Sequence, residues 1–409
     1  MKLIKALVVM LVAVGMILPA VAVAEDRLSL SGEMRVRAFH DDTEFDDFDS
    51  DDTQTWANQR LRIAGKIAVA EGVSVTFRTD ITEGTDWGNS SNFGGGIAGP
   101  IRTNGAGHAR SGAQQQWDRA HLDIEKGIFH LRAGQQYVGT FGVFAVDTQD
   151  SGLRLDIKTE NVPISTYVIV DNDNGGRDQA DAFLYGVTIT PKIGEVSTRF
   201  FGAGYNDGEE EEVYLLGASA SMMLGPVNLF GEFDYFTGDA NDAAGVDAFG
   251  TQLMLDGSMA LSDMITLGGQ FYYAAGDDED VQYVFLGNGF NGWDPIYDVG
   301  TSLSNEEIVF GRPFDFTGLS AGVVGGRLYG KFKLSDAINL GASASYLSEE
   351  EDEFVESDGY QLAAGLTYGI LENTSFQVQL QYEDMDLEVL GVSADYDSFR
   401  AGTGIFVKF

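Results

Sequence analysis

The chain has 409 residues, a formal net charge of −38, no cysteine, 7 prolines and 52 glycines. A balance this acidic argues against nucleic acid as a partner, because phosphate backbones are bound through clustered lysine and arginine. The lack of cysteine excludes disulfides and thiolate metal sites, and it suits a protein that crosses an oxidising compartment unfolded.

The N-terminus has the pattern of a secretory signal peptide. Lys2 and Lys5 precede an apolar run over residues 6–18, and small residues follow up to Ala24. We predict a signal peptide over residues 1–24 and a single barrel domain over residues 25–409. An uncleaved anchor is the alternative, but the apolar run is shorter than the ~20 residues of a spanning helix. No later segment is long and apolar enough for such a helix, so a membrane-bound mature chain has to be a closed barrel.

From Arg27 onward, apolar and polar residues alternate in short segments with the two-residue period of β-strands. A first strand ending near Phe39 is followed by a predicted acidic loop over residues 40–55. Short turns then alternate with longer loops, the longest over residues 83–115 and 276–320. This pattern predicts an all-β fold, a transmembrane antiparallel β-barrel of about 18 strands, with 16 possible, long outer loops and short periplasmic turns. A soluble sandwich or propeller is the alternative, since strands of this length occur there too.

The last strand, over residues 397–409, carries Phe399, Ala401, Thr403, Ile405, Val407 and Phe409 on one face. An apolar strand edge without a partner is an aggregation hazard, and pairing with the first strand would remove it by closing a barrel. The pattern resembles the porins and related barrels of Gram-negative outer membranes, whose last strand alternates in this way and ends in Phe. The resemblance implies export to the outer membrane, contact with its lipid and lipopolysaccharide, a homotrimer, and recognition of Phe409 by the outer-membrane assembly machinery.

One face of the early strands is strongly basic. An arginine or lysine that faces mid-bilayer lipid costs about 2 to 4 kcal/mol, so this face has to line the lumen. Glu33, Asp80, Asp123, Glu125 and Asp156 share the face and would pair with some of the cations. A structural ion-pair ladder without effect on permeation is the alternative interpretation. The predicted pore-lining cations are Arg35, Arg37, Arg60, Arg62, Lys66, Arg78, Arg119, Arg132, Arg154, Lys158, Arg327 and Arg400.

The later strands predict a neutral to acidic wall opposite the arginines, with Glu232, Asp234 and Asp256 facing inward. In the porin family, a transverse field between an arginine wall and acids on an inward-folded loop lines the constriction, and this sequence resembles that arrangement. The third outer loop, residues 138–150, is short here. We therefore expect the loop over residues 83–115 or the loop over residues 276–320 to constrict the lumen instead.

The acidic outer loops are candidate weak cation sites, because carboxylates at this density can hold Ca²⁺ or Mg²⁺ loosely and bridge to lipopolysaccharide. The candidates are Asp47, Asp49 and Asp51 in one loop and Asp171 and Asp173 in another. Neither loop is an EF-hand, because Asp52 stands where glycine is needed in the first and Ala182 replaces the final glutamate of the second. We expect no other cofactor.

Catalysis finds little support in the sequence. The chain has no G-x-S-x-G or H-E-x-x-H motif, and His40 beside Asp41 is the candidate base of an enzymatic barrel. The sequence predicts a non-enzymatic outer-membrane porin, a water-filled channel for passive diffusion of small hydrophilic solutes and ions, with the basic wall setting selectivity. The alternatives are a substrate-specific channel for an organic anion or sugar, an outer-membrane barrel enzyme, and an adhesive barrel.

Overall fold

The computed structural model describes residues 27–45, 50–86, 116–141, 146–172, 182–208, 211–242, 244–276, 281–283, 322–350, 355–389, 392–393 and 395–409. The predicted signal peptide, residues 1–24, lies outside the described residues, and its cleavage stays a prediction. Within the described ranges, no helix is long and apolar enough to cross a membrane.

Eighteen long strands make up the fold. The first nine are β1 Leu28–Phe45, β2 Ser50–Ala70, β3 Val73–Asp86, β4 Gln116–Lys126, β5 Phe129–Phe141, β6 Val146–Ile157, β7 Ile164–Asn172, β8 Ala182–Ile189 and β9 Val196–Asn206. The other nine are β10 Glu212–Leu224, β11 Val227–Asn241, β12 Val246–Ser262, β13 Ile265–Ala274, β14 Val323–Lys333, β15 Ile338–Ser348, β16 Val355–Leu371, β17 Thr374–Val389 and β18 Tyr396–Lys408. Two-residue strands occur at Lys192–Ile193, Val281–Gln282 and Val392–Ser393.

The long strands form a closed antiparallel barrel. Each pairs with the next along the chain, and β18 pairs with β1 from Glu33↔Lys408 to Phe45↔Tyr396. The structure therefore confirms the predicted all-β barrel of 18 strands. We call the end with the short turns, such as residues 71–72 and 225–226, the turn end, and the opposite end the loop end.

Alternation along each strand separates an apolar outside from a polar inside. On β14, Leu328 is 73% exposed, whereas its neighbours Arg327 and Tyr329 are 4% and 8% exposed. Inward side chains are shielded by the barrel itself, and outward ones are not. The outward, exposed apolar residues include Leu30, Phe129, Phe200, Leu216, Leu255, Phe271, Tyr346, Leu380 and Ile405. An apolar band around a closed barrel is the surface that a bilayer requires.

Glycine makes the tightest hairpins at the turn end possible. Gly72 and Gly127 have φ of 70° and 60°, in the left-handed region that suits glycine. A Cβ on Gly72 would lie 2.3 Å from the carbonyl oxygen of Glu125, so any larger residue would also push the neighbouring hairpin away.

The seam between β1 and β18 is completed by the last residue. Phe409 donates its backbone N–H to Gly32 O at 2.9 Å, and Gly32 N–H donates to Phe409 O at 2.7 Å. A Cβ on Gly32 would lie 2.6 Å from the Phe409 ring, so the ring covers this glycine. The C-terminal residue is therefore part of the closing ladder.

The prediction of an acidic loop over residues 40–55 is wrong about where the loop begins and ends. β1 continues to Phe45 and β2 begins at Ser50. Strand pairing continues because the ladder needs only backbone groups, and polar side chains add cross-strand bonds: His40 Nδ1 lies 2.9 Å from Thr55 Oγ1, and Thr53 donates to Asp42 at 2.5 Å. His40 and Asp51 accordingly belong to strands rather than to a loop.

The loop end is expected to face the cell exterior and the turn end the periplasm. A cysteine at Asp242, in the exposed turn between β11 and β12, should react with a membrane-impermeant maleimide on intact cells. A cysteine at Asn161, exposed in the turn after β6, should react only after the outer membrane is permeabilised. The reverse pattern of labelling would invert the orientation.

Candidate functional site: the barrel lumen

Most of the predicted cations lie on inward positions of their strands, and Lys158 lies just after the end of β6. Arg35, Arg37 and Arg60 are buried, and Arg327 and Arg400 are buried on the later strands. Lys66 and Lys158 are exposed near the turn end, where Lys158 lies 3.4 Å from Glu125. We call the inward arginines of β1 to β6 the arginine wall: Arg35, Arg37, Arg60, Arg62, Arg78, Arg119, Arg132 and Arg154.

Most of the arginine wall is ion-paired. Arg60 lies 2.5 Å from Glu33, and Arg62 holds Asp80 with two bonds of 2.5 and 2.7 Å. Asp118 links Arg62, at 3.6 Å, to Arg78. Asp118 was not predicted from the sequence, since a shift in register between Arg78 and Thr79 against β4 makes room for it on the inward side.

A second cluster of charges surrounds Asp123. Its carboxylate lies 3.1 Å from His121 Nδ1, 2.8 Å from His130 Nε2 and 3.1 Å from Arg132 Nε. On the next strand, Asp156 lies 2.9 Å from Arg154 Nε. The two histidines thus contact carboxylates inside the barrel and add polar contacts to the network.

Three arginines outside this network also have defined partners. Arg400 bridges Glu383 at 2.9 Å and Asp41 at 3.4 Å across the closing seam. Arg37 donates to Asn58 at 3.1 Å, and its guanidinium lies 5.3 Å from the centre of the Phe39 ring. Arg327 donates to Gln270.

Arg119 differs from its neighbours. Within the described part of the chain, no carboxylate lies at ion-pair distance from it, and its Nε has no hydrogen-bond partner. Its guanidinium stacks over Tyr137, 5.4 Å from the ring centre. A guanidinium held by an aromatic ring keeps its full positive charge. Among the described residues, Arg119 is thus held by an aromatic ring rather than by a carboxylate, and Asp118 acts on its charge only from beyond ion-pair distance.

The loop end of the β5–β6 hairpin leans into the lumen. One of its faces directs Tyr137 toward Arg119 and Gln149 toward Arg78, whose Nη2 donates to Gln149 at 3.2 Å. Its other face packs Val138 and Val146 against inward residues of β7 to β12. β5 also contacts β9, although three strands separate them along the wall. The hairpin thus narrows the lumen between two walls.

This insertion differs from the expectation based on loop length. Because the third outer loop is short, we expected longer loops to form the constriction. The ends of β5 and β6 themselves bend inward, and this does not require a long connecting loop. The segments over residues 87–115 and 284–321, which hold most of the two long loops, lie outside the described residues. Their part in the constriction stays a prediction.

An apolar patch inside the lumen was missed by sequence reasoning. Its buried members are Tyr167, Ile169, Leu184, Phe201, Val213, Leu215 and Phe236. β7 to β10 are apolar on both faces, as the adjacent pairs Val168–Ile169 and Phe183–Leu184 show, so no period of two marks the inward residues. The patch is the surface on which the inserted hairpin rests.

The wall opposite the arginines carries carboxylates, as predicted. Glu232 and Asp234 are buried on the inward face of β11. Asp256 on β12 accepts a hydrogen bond from the Tyr329 hydroxyl at 3.1 Å. The arginine wall and these carboxylates thus lie on different sides of the barrel.

A short segment after β13 returns to the barrel. Val281–Gln282 pairs with Ala248–Phe249 of β12, and Tyr283 packs against the apolar patch. The Tyr283 hydroxyl donates to Glu211 at 2.7 Å. Burial raises the pKa of the Glu211 carboxyl, an effect that Asp207 increases and the Tyr283 bond opposes. This contact ties the loop end of β12 to the β9–β10 connection.

The other candidate sites gain no geometric support. Asp51 lies in β2 and Asp171 in β7, whereas Asp47, Asp49 and Asp173 lie outside the described residues. Among the residues that are described, no three histidines, carboxylates or cysteines group as metal ligands. His40 contacts Thr55.

Comparison with known proteins identifies similar structures. No family model and no curated sequence matches the chain. The alignment with OccAB3 of Acinetobacter baumannii covers 93% of this chain and 100% of the OccAB3 chain, with 11% identity and a TM-score of 0.58. OccAB1 of the same organism has 14% identity and a TM-score of 0.56, with 95% of this chain and 98% of its own covered.

OpdK of Pseudomonas aeruginosa, solved with vanillate, is 9% identical with a TM-score of 0.57, covering 93% of this chain and 99% of its own. Another structure of OpdK describes it as an outer membrane protein. At these identities the likeness concerns the fold, which extends over almost the whole of each chain. The protein therefore has the barrel fold of the Acinetobacter and Pseudomonas Occ and Opd proteins.

Proposed function

We propose that the protein is an outer-membrane porin, a water-filled channel through which small hydrophilic solutes and ions diffuse passively. The observation that carries the proposal is the division of the barrel surface into an apolar outside and a charged inside. Burial of arginines and carboxylates inside a barrel requires water or paired charges there, and a barrel of 18 strands is wide enough for a passage. The likeness to an outer membrane protein supports the same location.

The arginine wall is proposed to set selectivity, but unequally along its length. Where Arg62 and Asp80 hold each other bidentately, their charges cancel at the distance of a passing ion. Arg119 has no such counter-charge and lies beside the inserted hairpin, where the lumen is narrow. Confined charges between low-dielectric walls act strongly on permeating ions. The selectivity is therefore assigned mainly to Arg119, with the paired arginines as a scaffold.

A substrate-specific channel is the second candidate. The inserted hairpin favours it, because the hairpin rests on the apolar patch and narrows the lumen beside Arg78 and Arg119 instead of leaving a wide polar pore. OpdK, with the same fold, has been solved with vanillate. An organic anion or a sugar is the substrate class proposed for this alternative. An enzymatic role is not proposed, since a similar structure, OpdK, is described as an outer membrane protein.

Swelling of proteoliposomes separates the two candidates. A diffusion channel should admit neutral sugars at rates that fall smoothly with their size, whereas a specific channel should admit one solute class much faster than others of equal size. A liposome that carries the folded barrel yet excludes even the smallest sugars and all organic anions would rule out both.

A further inference from the structure

Two carboxylates share one place on the inward face of β11. Glu232 and Asp234 are 2% and 1% exposed. At about 3.3 Å per residue, positions two apart on a strand are roughly 7 Å apart and point the same way. Asp234 lies opposite Gln252 on β12, and the Tyr272 hydroxyl of β13 donates to Gln252 Oε1 at 2.8 Å. Asp234, Gln252 and Tyr272 of three strands thus lie side by side on the inward face, with Glu232 two residues from Asp234.

Among the described residues, Asp234 has no partner for its charge. Neither of its carboxylate oxygens accepts a hydrogen bond from any described residue. A Cβ on Gly217, directly opposite, would lie 2.2 Å from the Phe201 ring and 2.3 Å from Asp234 Oδ1, so ring and carboxylate meet over this glycine. Apolar cover on one side and a like charge on the same strand both oppose ionisation of an isolated carboxylate.

The donor set indicates which counter-charge fits. The available atoms are all oxygens, from two carboxylates, an amide and a phenol, and oxygen donors suit hard cations. Two negative charges match one divalent ion. Calcium tolerates irregular oxygen geometry, whereas Mg²⁺ needs a near-ideal octahedron and keeps several waters, for which the Phe201 side leaves no place.

We propose that Glu232 and Asp234, with Gln252 and Tyr272, bind a calcium ion that neutralises this wall and ties β11 to β12 and β13. This site is distinct from the acidic outer loops and does not depend on the proposed channel function. Its affinity belongs to the weak range of calcium sites, about 10⁻⁴ to 10⁻³ M, because it offers few charged ligands.

Thermal unfolding of the detergent-purified full chain tests the site. After EDTA treatment, CaCl₂ should raise the unfolding temperature of the wild type in a saturable way, and MgCl₂ should need at least about tenfold higher concentrations. D234N should lose the saturable response. D256N is the matched control, since Asp256 lies on the adjacent strand but has its own hydrogen bond from Tyr329, and it should respond like the wild type.

An equal calcium response in D234N and the wild type would overturn the proposal. So would a wild type without any response, which would mean that the two carboxylates share a proton instead. If D234N and E232Q both fail to fold, terbium luminescence excited through tyrosine decides the matter in the wild type. The calcium-displaceable part of that signal should fall in Y272F, and an unchanged signal would contradict the site.

Discussion

Deleting Phe409 is expected to reduce the amount of membrane-inserted barrel by roughly thirtyfold, since two backbone hydrogen bonds of about 1 kcal/mol each are lost from the closing seam. Those bonds join Phe409 to Gly32, and the ring covers the same glycine. Without them the end of β18 leaves part of β1 unpaired, and an unpaired strand edge favours aggregation over closure. The heat-modifiable, membrane-inserted band on a gel measures the effect.

The matched control for this deletion is F399A. Phe399 lies on the same strand and also faces outward, but it does not contribute to the terminal pair of hydrogen bonds. We expect this variant to assemble at near wild-type levels. Normal assembly of the deletion, or an equal loss in both variants, would show that Phe409 acts only as one more apolar residue.

Much of the architecture could be predicted from the sequence, because the cost of a charge in lipid fixes which face points inward. Arg35 and Arg37 alternate with Met34 and Val36 on β1, and the structure places the two arginines inside. The same alternation predicted that Glu33 and Asp80 face inward with the arginines, and both form ion pairs there. The identity of each pair depends on strand register, which alternation alone does not specify.

The inward residues of the middle strands could not be predicted, because both faces of β7 to β10 contact apolar surroundings. Val168 and Leu216 are exposed on the outside, whereas Ile169 and Leu215 are buried against the inserted hairpin. Both faces therefore select apolar residues, and the period of two disappears. Insertion of the hairpin could not be predicted either, because it involves the strand ends and does not change the length of the connecting loop.

Replacing Arg119 with glutamine is expected to move the ion preference of the channel toward cations. A unit charge 4 Å from a passing ion in water interacts by about 1 kcal/mol, which corresponds to about a fivefold change in local ion concentration. The substitution leaves no described carboxylate unpaired, so the barrel should remain stable. At low salt the acidic outer loops add their own attraction for cations, but screening confines that contribution to roughly 8 Å at physiological salt.

A charge-neutral variant provides the control. R62Q combined with D80N removes a bidentate ion pair from the same wall without changing its net charge. We expect a loss of stability, because the pair is largely shielded from solvent, but little change in ion preference. A selectivity shift in this variant as large as that in R119Q would show that the shape of the lumen, rather than its uncompensated charge, determines ion selectivity.

The most direct measurement is the reversal potential of single channels in planar bilayers under a KCl gradient, recorded for the wild type and R119Q at low and high salt. The proposed mechanism predicts an open, ohmic conductance in both proteins and a shift toward cations in R119Q that persists at high salt. Identical reversal potentials and conductances at both salt concentrations would show that the arginine wall is a structural ladder, and the absence of any conductance would contradict a water-filled channel.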